Sequence, residues 1–413
     1  MPKIKDQKKD GKKLPELRFP GFEGGWVKKH LKETGTFIGG GTPSKKETAY
    51  WQGKTPWISS SDISEADFNV TPTRFITKEA IKNSATKIIP PKSILIVSRV
   101  GVGKIGIAEE GICTSQDFTN LIPNNNHNTS YLAYLLKKKA PQLLNFHQGT
   151  SIKGFSKKDI ENLQVRIPSL TEQQKIADFL TAVDEWIENL KAQKQKLEAY
   201  KKGIMQKIFT RQIRFKDDNS NDFPNWEEKR LGEMGNFFRG HSYNRTNVKK
   251  KGLLVLRSSN IQNQRLIINK DLQFVNKDCD EKIILKKDDI VICMANGSKK
   301  LVGKSGTYLG DYSGKVTVGA FCSIYRSKIR LAKYFFQTIK YKKYLHLSLA
   351  GTNINNLKNS DLEKVKFNIP SSKTEIQKIN AVLMTIDKII QSKQNQIKKA
   401  NKWKEGLLQR LLV

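Results

Sequence analysis

The sequence predicts an α+β protein: two mixed α/β domains joined by two long antiparallel coiled-coil helices, the chain being related to itself by a pseudo-two-fold internal repeat. Three observations predict it. The chain repeats in a fixed register about 200 residues apart. Each copy begins with short β-branched runs punctuated by Gly, Pro and Ser-Asn turns, and each ends in an apolar stripe of helical period.

The repeat decides the architecture. Trp26, Leu31, Gly35, Phe37 and Gly40 return as Trp226, Leu231, Gly235, Phe237 and Gly240. Gly149-Thr150-Ser151-Ile152 matches Gly351-Thr352-Asn353-Ile354, and Ile167-Pro168 matches Ile369-Pro370. After one extra residue Thr171-Glu172 matches Thr374-Glu375, Asp184 matches Asp387, and Lys201-Lys202-Gly203 matches Lys404-Glu405-Gly406. The expected order is a basic tail at 1–20, a first domain at 21–170, a first helix at 171–216, a second domain at 217–372 and a second helix at 373–413.

Within the domains, Ser93–Ser98 and Asp289–Cys293 read as buried strands, and Tyr131–Leu136 and Leu331–Phe336 as short helices. The prolines Pro168 and Pro370 end the strand before each long helix. Thr171 and Thr374 are positioned to cap, with Glu172 and Glu375 in the first turn, where the helix dipole favours carboxylates. A 3–4 spacing then runs through Ile176, Leu180, Val183, Ile187, Leu190, Leu197, Ile204 and Ile208, and through Ile379, Leu383, Ile386, Ile390, Ile397, Leu407 and Leu411. Lys194 and Lys201 interrupt the first seam, and Lys393 and Lys404 the second. Gly203 and Gly406 each cost about 1 kcal/mol in a helix relative to Ala. A close backbone approach, from the sister helix or another subunit, would explain them, as would tolerance near a fraying end.

The chain carries 74 Lys and Arg against 39 Asp and Glu, a formal charge of +35. Such an excess calls for a polyanion, and its spread along the whole chain favours a nucleic-acid track over a membrane patch. No apolar run is long enough to span a membrane, and the polar, lysine-rich start is no secretory signal. Cys113, Cys279, Cys293 and Cys322 are scattered and the histidines unclustered, so neither zinc nor a disulfide framework is indicated. A cytoplasmic setting is expected.

Catalytic motifs are missing. Gly303-Lys304-Ser305 resembles the end of a phosphate-binding loop, but five residues separate Gly297 from Gly303 where that loop has four. The acidic pairs Asp217-Asp218 and Asp288-Asp289 lie in polar or lysine-rich turns. What the domains do offer is hydrogen-bonding loops with basic residues. In the first these hold Thr42, Ser44 and Lys45; Ser60 and Ser61; and Arg99 and Lys104. In the second they hold Arg239 and Ser242; Arg257, Ser259 and Asn260; and Asn296, Lys299 and Lys304. Arg reads guanine, Asn reads adenine, Ser serves either base or phosphate, and Lys positions the backbone, so these are the candidate DNA-binding residues. The copies differ most inside these loops. Two readers on one scaffold would read two different half-sites at a spacing set by rigid helices.

This arrangement resembles the specificity subunit of type I restriction-modification systems over nearly the whole chain. The resemblance is carried by Phe19-Pro20-Gly21-Phe22 leading to Trp26, its partner Phe223-Pro224-Asn225-Trp226, the Gly-Thr-x-Ile to Ile-Pro stretches, and Glu172–Ile176 with Glu375–Ile379 before the two long helices. It implies two target-recognition domains that read a bipartite, interrupted sequence in double-stranded DNA. It further implies methyltransferase subunits docked on the helices, with Ile176, Leu180, Gly203, Ile379, Leu383 and Gly406 as the expected partner-binding positions, and restriction motor-nuclease subunits joined to that core. No cofactor is then expected on this chain; S-adenosylmethionine, ATP and magnesium would sit on the partners. The competing readings are a nuclease or methyltransferase with an unrecognised active site, and a helix-mediated RNA-binding scaffold.

Overall fold

The computed structural model describes residues 14–64, 67–144, 147–148, 152–350 and 356–413. The basic start Met1–Lys13 and the matched runs at 149–151 and 351–354 lie outside the described residues. The chain divides into two compact units, residues 1–192 with 393–413, and residues 193–392. Both long helices form, as Leu170–Phe209 and Lys373–Leu411, and each gives one half to each unit.

In the first unit, strands Gly35–Gly39, Thr119–Pro123, Ile94–Ile96 and Ile105–Ile107 form an antiparallel sheet in that order. A second sheet runs Arg74–Ile76, Thr55–Ile58, Ile112–Thr114, Ile88–Ile89, with Thr55–Ile58 parallel to Ile112–Thr114. Every residue of Ile94–Val97 is buried, because this strand is covered on both faces. The helix Thr129–Leu143, N-capped by the Asn128 side chain, buries Tyr131–Leu136 in the same core as Ile176, Leu180, Val183, Ile187 and Leu190 of the first long helix.

The second unit repeats the plan with different lengths. Gly235–Arg239, Cys322–Ser327, Ile290–Cys293 and Ser305–Thr307 follow the first sheet's order, extended by a hairpin, Arg265–Leu266 and Ile261–Gln262. Leu253–Leu256 runs parallel to Val316–Val318, as Thr55–Ile58 does to its neighbour. Gly35 and Gly235 recur for a spatial reason. A Cβ on Gly35 would stand 2.1 Å from the Ile122 carbonyl oxygen, and one on Gly235 would stand 2.5 Å from that of Arg326.

The helix segments run antiparallel inside each unit. In the first, Arg18 binds Glu172 while its neighbour Leu17 donates to the Arg410 carbonyl, and further along Asp184 pairs with Lys404. In the second, Arg214 binds Glu375 and Lys201 pairs with Asp387. Leu17 is buried and Arg18 is tied into the helix, so residues 14–20 belong to the fold and not to a basic tail.

One local expectation is corrected and another extended. The hydroxyls of Ser169 and Ser372, not of Thr171 and Thr374, accept the first-turn N–H groups, those of Glu172 and Glu375, because the helices begin one residue earlier than the threonines. Glu172 and Glu375 do more than face a dipole: both are buried. The Arg18 guanidinium holds Glu172 through two bonds of 2.8 Å, and Trp26 donates its indole N–H at 3.3 Å. Arg214 and Trp226 repeat the arrangement on Glu375. A bidentate, charge-assisted clamp of this kind fixes the segment that leads into each domain against the start of the helix.

Candidate nucleic-acid interface and helix surfaces

Each unit gathers its polar loops around one short turn. In the first, Ser59 leads into a 3-10 turn whose Asp62 accepts the Ser59 N–H at 2.7 Å, the Thr73 hydroxyl at 3.0 Å and the Arg74 guanidinium at 2.7 Å. Burial alone would raise the Asp62 pKa, but these hydrogen bonds outweigh it and hold the pKa below the usual carboxylate value. Arg74 also lies 4.5 Å over the Trp57 ring. In the second unit Asn260 occupies the Asp62 position and takes the Arg257 N–H at 2.8 Å. The ion pair returns with its polarity exchanged: Arg257 now sits on the turn and Asp271 off it, with Ser259 donating to the same carboxylate at 2.5 Å. The Ser259 hydroxyl and the Arg257 charge keep the Asp271 pKa low.

A second loop docks on each turn. Its backbone is fixed by two bonds to one carbonyl: Ser98 and Arg99 N–H to Asp117 in the first unit, Met294 and Ala295 N–H to Phe321 in the second. The first loop turns back through Gly101 and Gly103, at φ +94° and +90°, values that glycine reaches without strain. The structure thereby brings Ser60 beside Gly101 and Lys104. In the second unit the equivalent loop is four residues longer, and Asn296 donates to the Ser258 hydroxyl at 3.2 Å while accepting the Ser298 N–H.

Thr42, Ser44 and Lys45 follow Gly41, which is held by the Thr114 carbonyl and the Trp57 indole. Arg239 ends its strand opposite Ser323 with an exposed side chain, and Lys277 binds the Ser242 carbonyl. Ser61, Arg99 and Lys299 are exposed. Asn260 is corrected: it is buried and donates to the Ile267 and Lys270 carbonyls, so its amide braces the turn and cannot reach a base edge. Arg74, Asp271 and Phe321 carry no sequence signal that marks them as part of these loops. The first two act on turns 12 and 14 residues away, through pairings that no local pattern announces.

The helices need a larger correction. Ile176, Leu180, Ile379 and Leu383 are buried in the cores of their own units, so they offer nothing to a partner. Gly203 and Gly406 meet no atom within 4 Å of an added Cβ, so no sister-helix backbone approaches them. Lys201 and Lys404, which break the apolar stripes, are themselves buried. Asp184 takes Lys404 and the Tyr134 hydroxyl; Asp387 takes Lys201 at 2.7 Å and the Tyr334 hydroxyl at 2.9 Å. The matched residues thus pair crosswise, each aspartate with the lysine of the other copy.

What the helices expose is a row of large apolar side chains, aromatic in the first unit. In the first unit Phe19, Phe179, Trp403 and Trp186 form a chain of edge-on rings with centroids 5.5–6.2 Å apart. Trp186 and Trp403 are about half exposed. The matched positions in the second unit carry Phe223, Val382, Tyr200 and Ile389, the last three also exposed. Lys175 stands over Phe19 as Lys378 stands over Phe223.

The family is decided by a sequence match covering both copies. Residues 23–199 and 224–401 each match the type I restriction modification DNA specificity domain. This chain belongs to that family. It is 27% identical over 409 residues to the specificity subunit of the type I restriction enzyme MjaIX of Methanocaldococcus jannaschii, covering 94% of this chain and 92% of that one. To the MjaVIII specificity subunit of the same organism it is 26% identical, over 88% and 89% of the two chains. Its fold is similar to the crystal structure of the type I restriction-modification S subunit from M. genitalium, with a TM-score of 0.55 at 17% identity and 97% and 99% coverage. Among the described residues no cluster of His, Cys, Asp and Glu is arranged to hold a metal ion, and no helix is long and apolar enough to cross a membrane.

Proposed function

We propose that the chain is the non-catalytic, sequence-reading subunit of a type I restriction-modification complex, working in the cytoplasm on double-stranded DNA. One observation carries this reading. The same braced turn and docked loop occur in both units, while the side chains that build them differ: Ser59 and Asp62 with Arg74 in one, Arg257 and Asn260 with Asp271 in the other. A shared frame with exchanged charges suits two readers of two dissimilar half-sites, which together form an interrupted target. The excess of 35 positive charges supplies phosphate affinity independent of sequence.

The exposed apolar face on each helix pair, aromatic in the first unit and largely aliphatic in the second, is the proposed seat of a methyltransferase subunit. Because the face recurs at matched positions while the reading loops diverge, it suits one kind of partner bound twice. Restriction motor-nuclease subunits would join through that core. S-adenosylmethionine, ATP and magnesium would belong to those partners, with none held on this chain. The test is genome-wide mapping of modified adenines in cells with and without this chain. A split motif that vanishes with the chain is expected; a single uninterrupted motif, or a motif indifferent to the chain, refutes the reading.

A further inference from the structure

We infer that Phe321 is a base-stacking residue of the second unit, its ring wedging at a base step of the half-site which that unit reads. The inference rests on the DNA-reading function proposed above. Phe321 is 71% exposed and belongs to no core cluster. Exposed apolar side chains are common singly, so position and rigidity carry the argument. The Phe321 carbonyl accepts the Met294 N–H at 2.8 Å and the Ala295 N–H at 3.3 Å. The next residue, Cys322, is buried, and its N–H closes the turn on the Gly319 carbonyl at 2.8 Å. The ring is therefore presented to water on a backbone that cannot fold it away.

Its surroundings are those of a polar reading surface. Ala295 leads directly into Asn296, which bonds Ser258 on the braced turn. On the other side Val318 and Gly319 bind the backbone of His241, between Arg239 and Ser242. A planar ring at the meeting point of such loops offers a base what hydrogen-bonding groups cannot, a face to stack on. The first unit differs at this place. Asp117 makes the same two backbone bonds as Phe321, and the exposed apolar side chain there is Val100, at 69%, one residue beyond Arg99. Valine can touch a thymine methyl but cannot stack. The aromatic wedge thus belongs to one half-site only.

The test uses the full chain and a duplex library with two randomised blocks separated by spacers of varied length. The parent is expected to select a split sequence. Phe321→Ala, with unchanged melting temperature, should relax one or two adjacent positions in one block and weaken binding about 5- to 100-fold. Val100→Ala should affect only the other block. Phe321→Trp should restore selection, and Phe321→Leu, apolar but without a face, should not. 2-Aminopurine placed at the relaxed step should brighten on binding the parent and not Phe321→Ala. Unchanged selection and affinity for Phe321→Ala, or full function of Phe321→Leu, overturns the inference while the parent's split sequence keeps the DNA-reading function standing. A parent that selects no split sequence overturns both.

Discussion

Replacing Lys404 by methionine tests the crossed ion pairs. The substitution keeps most of the apolar stem and removes the ammonium that meets Asp184, leaving that carboxylate with the Tyr134 hydroxyl at 2.8 Å. Breaking a fully buried pair by deleting one partner costs about 3–5 kcal/mol, because the other charge is stranded. The Asp184 side chain is 18% exposed, so water recovers a little, and a loss of about 3 kcal/mol is expected. Adding Asp184→Leu removes the stranded charge and should bring the double variant back to within about 1 kcal/mol of the parent. Five of the six tryptophans lie in the first unit, so fluorescence during a denaturant titration reports on that unit. A shift under about 0.5 kcal/mol for Lys404→Met, or a double variant no better than the single, would refute the reasoning that Lys404 compensates a buried Asp184 charge.

Three further outcomes are expected. Glu172→Gln keeps the shape of the Arg18 clamp but loses its charge-assisted bonds, and should lower stability by about 1.5–3 kcal/mol in the same titration. Asn260→Ala should lower the melting temperature by stranding the Arg257 N–H, whereas Lys299→Ala should leave melting alone and reduce the slope of log K against log salt by about one unit. Burial, and then the charge of Lys404, pushes the Lys137 ammonium down to about 8, whereas its unperturbed value is 10.5. Between these values the unfolded chain holds more protons, so this group makes stability rise with pH through that window. Lys137→Met should therefore be more stable than the parent at pH 7 by about 1–2 kcal/mol, allowing for solvent, with the gain fading towards pH 10 in denaturant titrations.

The repeat was legible because its anchors are large or backbone-constrained: Trp26 and Trp226 fill equivalent sites, and Gly35 and Gly235 leave room for a carbonyl. The helix stripes were legible for the same reason that amphipathic helices always are, a period of 3.6. Their interruptions were not, since a lysine among leucines reads as a defect until the aspartate opposite is seen. Local rules placed Glu172 in the first helical turn, where it lies, but gave no sign of its decisive partner Arg18, 154 residues away in the chain. In the reading loops the residue types were informative, but which side chains face outward was not. Asn260 looks like an adenine reader in sequence and is a buried brace, while Phe321, set between Ala and Cys, gives no local hint of its exposure.

The division of each long helix between two units has a consequence for biosynthesis. The first unit needs residues 393–413 to finish its core, through Ile397, Ala400, Leu407 and Leu411. A nascent chain on the ribosome therefore exposes the apolar side of residues 170–192 while some two hundred further codons are translated, and a premature stop near residue 393 would cripple the amino-terminal reader and not the one just made. Chaperone crosslinks to that waiting stretch, lost as the last segment emerges, are the expected trace of this order of events.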